Sequence, residues 1–308
     1  MMSTVVQTTG LTKRYGRTAA LDEVDITVEA GQIYGLIGQN GAGKTTLIRL
    51  LTGLARPSGG SLSLFEDSGA GLNLQRRRIG ALIESPALTL DLTAEQNIEA
   101  IRIQRGIAGR HRTREALEVV GLQDTGRKKV RQFSLGMRQR LGLGIALLGD
   151  PELLILDEPV NGLDPMWMAT VRTELVRRAR QDGTTVMISS HLLAELDLFA
   201  THYGFIHRGR LLAQMSAAEL HSRCQHTLRI DVADPAAAAT VLEEELDIRT
   251  FRIADDAGAT GGQVILADHL DQASRINSAL VGRGVEVRGI ETRGASLEEF
   301  FADLVKGA

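Results

Sequence analysis

One cysteine, Cys224, is the only thiol in these 308 residues, so no internal disulfide can form. Its lack of nearby cysteines argues against a thiolate metal site, and the usage suits a reducing cytoplasm. Aromatic residues are scarce, at 4%. A nucleic-acid surface needs a dense basic face with aromatics on which bases stack, so no nucleic-acid partner is expected. Arginines do cluster at Arg76, Arg77, Arg78 and at Arg102, Arg105, Arg110, Arg112, Arg114. They read as solvated helix faces or a protein-docking surface. Long apolar runs are missing as well. The longest, Leu141 to Leu156, is broken by Asp150, Pro151 and Glu152, so nothing is expected to span a bilayer. The opening MMSTVVQTTG has no charged stretch followed by an apolar core, so no secretory signal is expected.

What remains is ordinary for a globular protein: 43% hydrophobic and 24% charged residues. The length holds one large α/β domain and a smaller second one. Net charge is −3 but uneven: from Ala217 onward nine Lys+Arg face sixteen Asp+Glu, a balance of −7 that leaves +4 for residues 1–216.

Residues 38–45 are Gly38-Gln39-Asn40-Gly41-Ala42-Gly43-Lys44-Thr45, which fits G-x-x-x-x-G-K-[ST], with Thr46 following. A strand-like run (Gln32 to Ile37) precedes them and a helix-like run (Thr46 to Leu51) follows. Glycines let the backbone wrap an anion, successive N–H groups point at it, and the helix N-terminus adds positive potential. Lys44 is placed to reach β/γ-phosphates and the Thr45 hydroxyl to ligate Mg²⁺. The expected ligand is a nucleoside triphosphate.

Periodicity supplies the frame. Val24, Ile26 and Val28 alternate with polar residues, a half-buried strand ending at Ala30-Gly31. The loop helix stops at Gly53 and Pro57. Residues from about Thr93 to Gly149 read mostly helical, opened by a capping box of Thr93 and Gln96. Leu153 to Leu156 and Thr184 to Ile188 are continuous apolar runs, as in parallel strands covered on both faces, with a helix-like Val171 to Arg180 between them. Such alternation predicts an α/β fold: a parallel sheet with an N-terminal antiparallel part and a helical insertion at about 86–148. Beyond Ala217 the composition shifts to a small α+β domain, residues 217–308. Its strands are expected at His226 to Val232, Gly262 to Leu266 and Val285 to Ile290, and its helices at Pro235 to Leu246 and Leu270 to Val281.

The apolar run at 153–156 ends in Asp157-Glu158, 113 residues after Lys44. A strand end beside the phosphate loop puts Asp157 where it can hold Mg²⁺ and Glu158 where it can polarise the attacking water. Between loop and strand lies Phe133-Ser134-Leu135-Gly136-Met137-Arg138-Gln139-Arg140-Leu141. After Glu158 come Asn161-Gly162-Leu163-Asp164 and then Ser189-Ser190-His191. This ordered set, covering residues 5 to about 215, resembles the nucleotide-binding subunit of ATP-binding-cassette (ABC) transporters, with a P-loop NTPase core.

The resemblance implies roles. Tyr15 would stack on adenine. Gly38, Gly41, Gly43, Lys44, Thr45 and Thr46 would hold the phosphates. Ser134 and Gly136 match the signature that contacts the γ-phosphate held by a second subunit. Asp164 would link the two sites across the dimer, and His191 would sense the γ-phosphate. Two cassettes would close on two ATP molecules, and reopening after hydrolysis would drive a membrane partner; the population shift follows from ATP bridging the closed state while ADP does not.

Two positions depart from the common pattern. Ala81-Leu82-Ile83-Glu84-Ser85-Pro86 carries glutamate where the family usually has glutamine, and the signature reads Ser-Leu-Gly-Met-Arg. Glu84 can accept from Mg²⁺-bound water but donates nothing. Both variants resemble the branch of bacitracin-resistance and lantibiotic-immunity exporters, as does the ending Ser296-Leu297-Glu298-Glu299-Phe300-Phe301. The expected protein is a bacterial efflux ATPase with ATP and Mg²⁺, pairing with a like subunit and a separate permease on the cytoplasmic face of the membrane. The alternatives are a soluble ABC ATPase without a transport role and an importer ATPase. The first usually carries paired cassettes, coiled coils or zinc modules, none of which is seen here.

Overall fold

The computed structural model describes residues 3–159, 165–224, 227–255, 262–267, 269–293 and 297–307. The chain divides into two compact units, one running to Ala217 and one covering Ala218–Lys306.

The first unit opens with β1 (Thr4–Tyr15), β2 (Thr18–Val24) and β3 (Thr27–Glu29). The single strand expected over Val24 to Val28 is therefore two. The Thr8 hydroxyl donates to the Val24 carbonyl at 2.8 Å and accepts from the Ile26 amide at 2.9 Å, so a side chain takes ladder positions where the chain turns. β4 (Ile33–Ile37) runs into α1 (Lys44–Leu51), followed by β5 (Gly59–Leu64), β6 (Asp67–Ser68), the short α2 (Leu72–Gln75) and β7 (Ile79–Leu82). The insertion contributes α3 (Ala94–Gln104), α4 (His111–Val119) and α5 (Leu135–Leu147) before β8 (Leu153–Asp157). Then come α6 (Pro165–Arg177), β9 (Thr185–Ser190), α7 (Leu193–Asp197), β10 (His202–His207) and β11 (Arg210–Ser216), with α8 (Ala217–Cys224) after them.

The antiparallel layer has the order β2-β1-β5-β6, with β3 on β1. The central sheet has the order β11-β10-β4-β9-β8-β7, parallel except for the edge strand β11. Every residue of β4, β8 and β9 is buried, which is why each carries an apolar stretch, Ile33–Ile37, Leu153–Leu156 and Val186–Ile188, with polar residues only at the ends of β8 and β9. Helix α1 buries Leu47, Ile48, Leu50 and Leu51 in a core shared by both layers. Each such side chain contributes about 1.5–3 kcal/mol as an upper estimate.

In the insertion, Thr93 caps α3 as expected. Its hydroxyl accepts from the Gln96 amide at 3.2 Å, and its own amide donates to Gln96 Oε1 at 2.9 Å. Helix α5 crosses β7 so closely that a Cβ at Gly80 would lie 1.9 Å from the Ala146 carbonyl oxygen. That contact ties the helix to the sheet edge nearest β8.

The second unit contains β12 (Thr227–Val232), α9 (Pro235–Leu246), β13 (Arg252–Asp255), β14 (Gly262–Leu266), α10 (Ala273–Gly282), β15 (Val287–Arg293) and α11 (Leu297–Lys306). Its sheet order is β13-β14-β12-β15, all antiparallel, with α9 and α10 packed on the apolar face of Leu228, Ile230, Val264 and Leu266. This is a split βαβ of the ferredoxin-like type. Strand β13 was not anticipated, because its four residues carry only one large apolar side chain. His226 and Ser296 lie outside the described residues.

Candidate nucleotide-binding site

Strands β4, β7, β8 and β9 run parallel, so their carboxyl ends share one edge, the usual ligand edge of an open α/β sheet. The phosphate loop leaves β4 there, the segment holding Glu84 leaves β7, Asp157-Glu158 ends β8, and Ser189-Ser190-His191 ends β9. Register makes neighbours of the last pair: Asp157 faces Ser189 across β8 and β9.

The loop is shaped for close backbone approach. Gly43 sits at φ 112° as the N-cap of α1, and a Cβ there would lie 2.8 Å from the Ala20 carbonyl oxygen. No side chain caps the helix and its first turn holds no acid, so its N–H groups meet an anion without competition. A cavity of about 210 Å³ is lined by Ala20, the loop residues Gln39, Asn40, Gly41, Ala42, Gly43, Lys44, Thr45 and Thr46, and Glu158. Gly38 lies beneath it, pressed against the Ile206 carbonyl, which a Cβ would meet at 2.5 Å.

Two short chains of polar contacts cross this edge. In one, Asp157 is 1% exposed and fixed on both oxygens. Thr45 Oγ1 donates to its Oδ2 at 2.8 Å and Ser189 Oγ to its Oδ1 at 2.6 Å. In the other, Lys44 Nζ donates to the Gly38 carbonyl at 2.6 Å and stands 3.1 Å from Glu158 Oε1, while Glu158 Oε2 is 2.8 Å from His191 Nδ1. Lys44 is thus buried with its charge already partnered. Glu158 takes a left-handed φ of 49°, and its amide donates to Ser189 Oγ at 3.0 Å.

The remaining expected residues lie elsewhere. Tyr15 is 49% exposed with the Lys13 ammonium 4.9 Å from its ring centroid. Ser134 caps α5, accepting from the Met137 amide at 3.2 Å, and neither it nor Gly136 lines the loop cavity. Glu84, at φ 52°, gives its carboxylate to Arg49 Nη2 at 2.8 Å, so it pairs with the loop helix and not with Asp157. Asp164 lies outside the described residues. Ser189 was not singled out from sequence as a site residue; its signal is the strand register that faces it to Asp157. Arg49 had no sequence signal at all.

Among the described residues no cluster of three or more His, Cys, Asp or Glu could hold a metal ion. The donors that converge, a threonine hydroxyl and a carboxylate, suit Mg²⁺, which takes few protein ligands and the rest from phosphates and water.

Residues 21–161 match the family model described as ABC transporter. The bacitracin transport ATP-binding protein of Bacillus licheniformis is 39% identical over 307 residues, 99% of each chain. The daunorubicin resistance ATP-binding protein of Streptomyces coeruleorubidus is 38% identical over 99% of this chain and 96% of its own. A solved ATP-binding subunit of an ABC transporter superposes with a TM-score of 0.65 at 28% identity, covering 71% of this chain and 92% of that one. The chain belongs to the ABC transporter family, as one of its ATP-binding, ATP-hydrolysing subunits.

Proposed function

We propose that this chain energises a bacterial exporter of peptide or lipophilic antibiotics, working at the cytoplasmic face of the membrane beside a separate permease. The two full-length relatives reported above, one named for bacitracin transport and one for daunorubicin resistance, support this reading. No helix among the described residues is long and apolar enough to cross a membrane, which supports a separate permease.

One observation carries the chemistry: adjacent carboxylates at one strand end are tied to consecutive residues of the phosphate loop, Asp157 to Thr45 and Glu158 to Lys44. Asp157 holds Thr45, and with it forms the cation position; Mg²⁺ bound there would screen the phosphate charge. Lys44 exchanges Glu158 for the phosphates when ATP enters. Glu158, released on that side, accepts a proton from the attacking water, and His191 orients its other oxygen. Gly38, Gln39, Asn40, Gly41, Ala42, Gly43 and Thr46 supply the cradle, and Tyr15 the adenine platform. Glu84 would have to leave Arg49 to reach the cation.

The cavity of a single chain lacks Ser134 and Gly136, which supports a second cassette, a like copy, bringing them together with Asp164. Reconstitution with its permease tests the reading: ATP-dependent efflux of bacitracin or daunorubicin supports it, and ATP hydrolysis uncoupled from any permease refutes it.

A further inference from the structure

A second cavity, of about 230 Å³, lies in the first unit away from the phosphate loop, between α6, α7 and β9. Its floor is Val171, Leu175, Ile188 and Leu196, each 3% exposed or less. Only two charged groups line it, Arg172 and Glu195. Glu195 is engaged, its Oε2 accepting from Ser190 Oγ at 3.5 Å. The Arg172 side chain, on a half-buried residue, makes no hydrogen bond or ion pair with any described residue. An apolar pocket offers water few partners, so it is better filled by hydrocarbon than by solvent. An unpaired guanidinium at its side calls for a carboxylate, which it can bind with two parallel hydrogen bonds.

We propose that this cavity is a regulatory site for a small apolar carboxylate. At about 30 Å³ for each water-sized group it takes on the order of eight, enough for the hydrocarbon part of a short acid whose carboxylate meets Arg172 at the side. The link to turnover runs through Ser190. Its hydroxyl oxygen accepts from the Leu192 amide at 2.9 Å and its hydroxyl donates to Glu195, so the first turn of α7 is fastened beside His191. A ligand wedged between α6 and α7 moves that turn, and with it the imidazole that holds Glu158. Binding stands on the cavity alone; the effect on turnover rests on the hydrolytic reading, and measuring binding without nucleotide separates the two.

Octanoate is the probe, titrated into the full chain by calorimetry without nucleotide. The expected result is saturable one-to-one binding at about 0.1–1 mM, the range for a ligand this small. Ala169→Phe, which fills the cavity, should weaken it by at least about tenfold. Arg172→Gln should weaken octanoate by about tenfold and leave 1-octanol unchanged. At saturating octanoate the ATPase rate should change by about fivefold in the wild type and not in Ala169→Phe. No saturation up to about 10 mM, or equal binding by the wild type and Ala169→Phe, overturns the site. If Arg172→Gln leaves octanoate unaffected, the carboxylate assignment fails. Saturation with unchanged turnover overturns the regulatory role.

Discussion

Replacing Glu158 by glutamine removes one negative charge and leaves the shape of the side chain unchanged. Lys44 Nζ sits 3.1 Å from Glu158 Oε1, with the lysine 6% and the glutamate 19% exposed. Two unit charges at that distance attract by about 5 kcal/mol at an effective dielectric of about 20, an upper bound before desolvation is counted. Hydrogen bonds between charged groups are worth about 1.5–3 kcal/mol net. In the proposed binding mode ATP draws Lys44 away from Glu158, and its phosphates come up to the Glu158 carboxylate. Glutamine holds the lysine less firmly and repels the phosphates less, so E158Q should bind ATP more tightly by about 1.5 kcal/mol, roughly tenfold. Hydrolysis should move the other way. A lost general base lowers the rate by about 10²–10⁴-fold, so turnover should fall about a thousandfold. A fluorescent ATP analogue titrated against both proteins reads the affinity, and single-turnover hydrolysis reads the chemistry. Light scattering should also report two chains per particle for the ATP-loaded variant. ATP affinity that falls would refute the pairing, and turnover within about tenfold of wild type would refute the base assignment.

Thr45→Ala removes one of the two donors to Asp157 and should raise the Mg²⁺ concentration needed for half-maximal ATPase by about tenfold, since a hydroxyl ligand and its hydrogen bond go together; an unchanged Mg²⁺ titration would exclude Thr45 from the cation position. Gly43→Ala meets the Ala20 carbonyl at 2.8 Å and a φ of 112°, whereas Gly41→Ala at φ 80° meets nothing within 4 Å. The first should cost about 2–3 kcal/mol and the second about 1, so thermal melts should rank Gly43→Ala clearly lower. Glu84→Ala breaks an exposed pair with Arg49 and should change stability by less than about 1 kcal/mol; a shifted Mg²⁺ titration would show that Glu84 leaves Arg49 during turnover, and an unchanged one that it does not. Burial holds the His202 imidazole below its usual pKa, so protonation favours the unfolded chain. Stability should therefore decline as pH falls below about 6.5, and urea melts of His202→Asn should show a flatter pH profile.

How far the sequence spoke depends on the range of the interaction. Leu153–Leu154–Ile155–Leu156 announced a central strand because both of its faces are buried, and one dimension of sequence is enough to record that. The Thr93–Gln96 box was legible for the same reason: donor and acceptor sit three residues apart. The break between β2 and β3 was not, because it depends on a Thr8 hydroxyl 16 residues from Val24 and 18 from Ile26. Phosphate-loop residues were legible since the loop is contiguous. Ser189 and Arg49 were not, because each earns a place only through a partner on another strand or loop: Asp157 across the sheet register, Glu84 beyond the end of β7.

Asp157 and Glu158 are chemically alike and adjacent, yet the structure separates what they can do. Asp157 closes a strand inside the sheet, and both of its oxygens are spoken for by hydroxyls from α1 and β9. It cannot swing, which suits a group that holds a cation in one place. One peptide further on, the backbone leaves the sheet at φ 49°, a conformation costing a non-glycine residue on the order of 1 kcal/mol. The Ser189 hydroxyl offsets part of that by accepting the Glu158 amide while donating to Asp157. Because of this reversal Glu158 faces Lys44 and His191 and not the cation position. Ser189 therefore serves both acids at once. Ser189→Ala should loosen Asp157 and relax the turn at Glu158 together, lowering ATPase activity and raising the Mg²⁺ requirement in one variant. If only one of the two changes, the acids are positioned independently and the shared-hydroxyl explanation is wrong.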